Sequence, residues 1–154
     1  MKHAFALILL VFTYGFAHAQ TAGGEGVDVG EDMSLTDAID TNLKDFLWLK
    51  RPVVVFADTP NDPAFQEQIS LLQSRLDALE TRDVVIITDT DPDARSEIRL
   101  KLRPRGFMLA LIGKDGQVKL RKPFPWDVRE LTRVIDKMPM RQREIRDARQ
   151  SSGG

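Results

Sequence analysis

The chain has 154 residues, 42% of them hydrophobic, with a formal net charge of -1 at pH 7 and no cysteine. That length suits one domain rather than two, and the composition is too apolar for a disordered chain. The balanced charge gives no global pull toward nucleic acid or a membrane surface, and the missing cysteines exclude disulfides and every mechanism that needs a thiolate.

The chain opens with Lys2 and His3, followed by an apolar run from Ala4 to Ala17. Ala17-His18-Ala19 then offers the small-x-small pattern that a signal peptidase cuts. Residues 1–19 are expected to be a cleaved signal peptide that delivers the chain to the periplasm or the exterior, with no membrane attachment afterwards. The run is short for a permanent span. Cutting after Ala19 removes His3, His18 and Tyr14, the only histidines and tyrosine. No imidazole base, no Ser-His-Asp triad and no zinc, copper or haem site of the usual kind can then be assembled. No cofactor or metal is expected.

Residues 20–34 are Gly-rich, lack periodicity and read as a flexible spacer. Leu35, Ile39, Leu43, Phe46, Leu47 and Leu49 suggest a short amphipathic helix, with Trp48 packed in the core. Val53 to Ala57 is a continuous β-branched and aromatic run, the pattern of a strand buried on both faces. Asp62-Pro63 opens a helix, and Phe65, Ile69, Leu72, Leu76 and Leu79 draw one apolar stripe to about Glu80. Val84 to Thr88 is a second buried strand. Asp91-Pro92 is expected to cap a second helix carrying Ala94, Ile98 and Leu102 on one face. Phe107 to Ile112 makes a third strand, Lys114-Asp115-Gly116 a tight turn, and Gln117 to Arg121 a half-exposed fourth strand. Asp127 and Glu130 fit a capping box for a helix lined by Val128, Leu131, Ile135 and Met138, which Pro139 stops. The domain therefore spans residues 35–139, and residues 140–154 read as a charged surface helix fraying into a tail.

The order is β-α-β-α-β-β-α, an α/β fold with a right-handed parallel crossover followed by an antiparallel hairpin. It resembles the thioredoxin-like arrangement, a central mixed sheet flanked by helices. The stretches Arg51 to Gln68, Gly106 to Arg121 and Asp136 to Glu144 resemble the P-DUDES family, a peroxiredoxin-like group whose bacterial members are small exported proteins classed as a domain of unknown function. The resemblance covers roughly Leu43 to Glu144 and carries no established activity. The thioredoxin-like arrangement, for its part, implies that a thiol pair would sit at Asp58-Thr59-Pro60-Asn61-Asp62-Pro63 and a cis-proline at Met108. Both features are missing from the sequence.

Function must follow the site rather than the fold. One candidate is an anion site at the helix opening near Asp58 and Asp62, where Arg103 and Arg105 arrive with the third strand and Arg121 and Lys122 with the fourth. The alternative for these cations is a charged sheet edge that deters aggregation. Asp89, Asp91 and Asp93 alternate like the start of a calcium loop, but Ala94 and Leu100 stand where its glycine and glutamate belong. Asp58 and Asp62 could also form an acid/base pair. Trp126, in a proline-stiffened connector, is either a staple for the last helix or an anchor for a protein partner. The sequence thus reads as an exported, cysteine-free binding or interaction module. Its partner is an unidentified protein or small anion, with no role for nucleic acid. The alternatives are an enzyme using carboxylate or Lys/Arg chemistry on an anionic substrate, and a scaffold without ligand.

Overall fold

The computed structural model describes residues 35–153. The expected signal peptide (residues 1–19) and the whole of the spacer (residues 20–34) lie outside the described residues. The elements are β1 (Thr36–Asp37), β2 (Arg51–Phe56), α1 (Pro63–Gln73), α2 (Leu76–Glu80), β3 (Val84–Asp89) and α3 (Glu97–Leu102), then β4 (Met108–Ile112), β5 (Val118–Lys122), α4 (Val128–Asp136) and α5 (Pro139–Ser151). The sheet order is β1-β3-β2-β4-β5. β1, β3 and β2 run parallel, while β4 and β5 are antiparallel to their neighbours. This is the mixed sheet expected from the order of elements.

All six residues of β2 are buried, because helices cover both faces of the sheet. Period-two alternation divides its side chains between two cores. Val53 and Val55, with Ile86, Leu109 and Leu111, face Leu72, Leu131 and Ile135 from α1 and α4. Val54 and Phe56, with Ile87, Ala110 and Ile112, face Ile98 and Leu102 from α3.

Five local expectations need correction. The stripe from Phe65 to Leu79 is not one helix: it breaks at Arg75, whose backbone (φ -142°, ψ 35°) leaves the helical region. A straight helix from Pro63 to Glu80 would run about 27 Å, against about 20 Å for a six-residue strand, so the break keeps Leu79 over the sheet. Ser74 Oγ, donating to Leu71 O at 2.8 Å, marks the turn. Asp91 does not cap α3. It accepts from the N–H groups of Asp93 and Ala94 in a turn, Arg95 follows at φ 51°, and Ser96 is the cap.

The segment before β2 forms two short 3-10 turns, Ala38–Asp40 and Leu43–Phe46, instead of an amphipathic helix. Trp48 is 65% exposed rather than buried in the core. Lastly, Pro139 does not end the helical region. Lys137 closes α4, and Pro139 takes the first position of α5, where its missing N–H costs nothing.

Candidate functional site

At the C-terminal end of β2 the chain passes through Asp58 into the loop that opens α1. Asp62 accepts from Ala64 N at 2.8 Å and Phe65 N at 3.1 Å, which satisfies the start of the helix. Behind this loop lies a buried guanidinium. Arg99 Nε donates to Asp89 Oδ1 at 2.8 Å, and its Nη2 donates to Ala57 O at 2.8 Å and Asp89 O at 3.0 Å. Ser96 Oγ donates to the other carboxylate oxygen, Asp89 Oδ2, at 2.5 Å. Arg99 also lies 5.5 Å from the centroid of the Phe56 ring, and its Nη1 is 3.8 Å from Asp58 Oδ1. The ends of β2, β3 and the first turn of α3 are thus joined through one cation.

This network reassigns the sequence candidates. Both oxygens of Asp89 are occupied and Asp91 closes a turn, so the alternating Asp89, Asp91 and Asp93 do not act together. Asp62 is a helix cap, and Asp58 is exposed beside Arg99. The expected convergence of four cations is not formed. Arg121 is paired with Ala110 and Lys122 with Leu109, which places them on opposite faces of the sheet. Arg121 Nη1 donates to Leu102 O at 2.7 Å, closing the end of α3. Lys122 Nζ sits 4.5 Å from the Trp126 ring centroid, a cation–π contact on the other face. Arg103 is the left-handed cap of α3, and both Arg103 and Arg105 are exposed.

Trp126 packs against the core beneath Lys122. Its N–H donates to Gln68 Oε1 at 2.7 Å, and its carbonyl accepts from Gln68 Nε2 at 3.2 Å. The fully buried Gln68 amide therefore clamps the connector to α1. Trp126 is half-buried in this clamp, and the exposed aromatic of the connector is Phe124.

The opposite end of the sheet holds a second ionic knot and a cavity. Arg51 is fully buried at the start of β2. Its Nη1 donates to Arg82 O and its Nη2 to Glu144 Oε1, both at 2.8 Å. Lys114 Nζ bridges Glu144 Oε1 at 2.9 Å and Asp83 Oδ2 at 2.7 Å. Burial alone would raise the Glu144 pKa, but hydrogen bonds from Arg51, Lys114 and Arg141 outweigh it and lower it to about 2. Beside this knot opens a cavity of about 240 Å³ between the β4–β5 turn and the start of α5. Arg51, Lys114, Lys119 and Arg143 supply cationic walls, and Met138 and Met140 supply apolar ones.

The family described as Domain of unknown function (DUF4174) matches residues 42–144. The chain belongs to that family. Solved structures similar to the DUF4174 chain place its fold. The reduced 2-Cys peroxiredoxin of Plasmodium vivax is 16% identical, with a TM-score of 0.56 over 67% of this chain and 85% of that one. A Plasmodium yoelii thioredoxin peroxidase I is 17% identical, with a TM-score of 0.53 over 67% and 80%. A chloroplastic thioredoxin z is 13% identical, with a TM-score of 0.52 over 68% and 93%. The DUF4174 chain therefore has a thioredoxin-like fold, and it has that fold without cysteine.

Sequence reasoning missed Arg51, Arg99 and Glu144. Arg51 and Asp89 are the end residues of strands that are otherwise almost wholly apolar, and that position is the one signal that could have marked them as buried charges. For Glu144, set in a polar helix, no local signal exists.

Proposed function

We propose that this DUF4174 domain is a non-catalytic binding module of the peroxiredoxin-like P-DUDES kind, exported to the periplasm or the exterior by its N-terminal leader. The observation that carries the reading is the Arg99–Asp89 network. At the strand end where the thioredoxin-like fold places its thiols, this chain has a buried ion pair with its hydrogen bonds directed inward. No thiol stands there, and a thiolate is the attacking group in both disulfide exchange and thiol peroxidation. The enzyme alternative loses its carboxylate pair, because Asp62 is a cap and Asp58 stands beside a cation. The cavity at the far end of the sheet supports binding over a purely scaffolding role.

The test is direct. Purified protein assayed for insulin reduction and for peroxide consumption is expected to match a blank without protein. A rate above the blank that scales with protein and survives repurification overturns the reading. Export is tested separately by the intact mass of the periplasmic or secreted protein, expected to begin at Gln20. Retention of Met1 in that fraction overturns cleavage.

A further inference from the structure

We infer that the cavity between the β4–β5 turn and α5 is a binding site for a small organic anion with an apolar body. The inference rests on the binding-module reading and names the ligand class it would take.

Three observations meet in the cavity. The first is the start of α5. Its N-cap position is Met138, and no side chain caps the helix, so its opening N–H groups lack the usual acceptor. Met138, Pro139 and Met140 line the cavity, so this uncapped turn borders it. α5 has 13 residues, long enough for a developed dipole with its positive end here.

The second is Arg51, which is fully buried and forms part of the cavity wall. Its terminal nitrogens are engaged, but its Nε has no hydrogen-bond partner. That Nε is shut off from the cavity, so Arg51 acts on a ligand there through the positive charge behind the wall and not by a hydrogen bond.

The third is the distribution of charge. Glu144 and Asp83 offset Arg51 and Lys114 from behind the wall. Asp115 holds Lys119 at 2.6 Å across the lip. Arg143 lines the cavity, is exposed, and pairs with no carboxylate among the described residues. The side facing the void is therefore positive, while Met138 and Met140 offer flexible apolar contact to the rest of a ligand. Gly113 keeps the lip in shape. A Cβ there would lie 2.5 Å from Asp115 Oδ1 and 2.6 Å from Lys119 Cε, displacing the pair.

The experiment is an amide NMR titration of the purified protein with sodium hexanoate, 1-hexanol and inorganic phosphate at fixed ionic strength. The comparison is between wild type and the Lys119→Gln/Arg143→Gln variant, whose substituted residues lie at the surface and whose fold the same spectra check. Hexanoate is expected to move the amides of Met140 and Arg143 saturably, with a Kd at least fivefold weaker in the variant. Shifts that stay linear, or a Kd equal in both proteins, overturn the site. Hexanol binding as tightly as hexanoate overturns the anionic head, and phosphate binding as tightly overturns the apolar body. A null titration with redox rates at the blank removes this site alone. Redox rates above the blank with an intact titration remove the non-catalytic reading alone.

Discussion

Arg51 Nη2 donates to Glu144 Oε1 at 2.8 Å across 93 positions of chain. This contact ties the first residue of the central strand to the middle of the last helix. A segment that reads as a surface tail is thereby part of the domain, and the DUF4174 match ends at this same glutamate.

Glu144→Gln is expected to change the acid dependence of stability. Burial pushes this carboxyl up, but hydrogen bonds from Arg51, Lys114 and Arg141 prevail, so its pKa falls from 4.5 to about 2. A depressed acid stabilises the fold above its unfolded pKa, and that contribution drains away as pH falls through the window from 4.5 to about 2. Urea midpoints measured across that window should fall more steeply for wild type than for the variant. Parallel profiles would assign the acid sensitivity to other groups.

Deleting residues 139–154 removes Glu144 together with the helix that holds it against Arg51, and leaves Asp83 Oδ2, at 3.8 Å, as the remaining carboxylate near Arg51. Breaking a buried pair by removing one partner costs about 3–5 kcal/mol. Chemical denaturation of the truncated chain should show a loss of that size. A loss under about 1 kcal/mol, the scale of an exposed pair, would mean that α5 is only loosely attached.

Arg99→Met should destabilise strongly, by about 3–5 kcal/mol, because Asp89 stays buried without its cation. Removing both charges with Arg99→Met/Asp89→Leu should cost less than the sum of the single changes. It should still cost something, because Ala57 O and Asp89 O lose a donor. Denaturation of all four proteins closes the cycle, and additivity within about 0.5 kcal/mol would show that the pair is uncoupled.

Trp48→Gly is expected to raise the melting midpoint. Trp48 is 65% exposed and sits at φ 65°, in the left-handed region that costs a non-glycine residue roughly 1–2 kcal/mol. Glycine relieves this strain and keeps the Trp48 N–H bond to Lys114 O at 2.7 Å, while losing about 0.5–1 kcal/mol to unfolded-chain freedom. The net gain should be a few tenths to about 1 kcal/mol. A lower midpoint would show that the ring makes contacts worth more than the strain.

Asp62→Ala tests the cap at the start of α1. It removes the acceptor for Ala64 N and Phe65 N and should cost about 1 kcal/mol. Asp62→Asn should recover most of that loss, since the amide oxygen can accept the same bonds. A mutant cost shared equally by Asn would point to the charge instead.

Much of the fold was legible in the sequence because its signals are local. Alternation and apolar runs at Val53–Ala57, Val84–Thr88 and Phe107–Ile112 lie on observed strands, and Asp62-Pro63 starts a helix as read. The absence of thiol chemistry needs no coordinates at all. Even the parting of Arg121 from Lys122 follows from alternation along one strand, and counting faces would have shown it. The helix break at Arg75 was not legible, since the apolar spacing continues through it and the limit is the length of the sheet beneath. The ion pairs were decided only by tertiary structure. Arg99 resembles any helical arginine until Asp89, Ala57 O and Ser96 are brought around it. Arg51 and Glu144 carry no mutual signal across their separation, because charge pairing depends on distances of a few ångströms that only the packed chain creates.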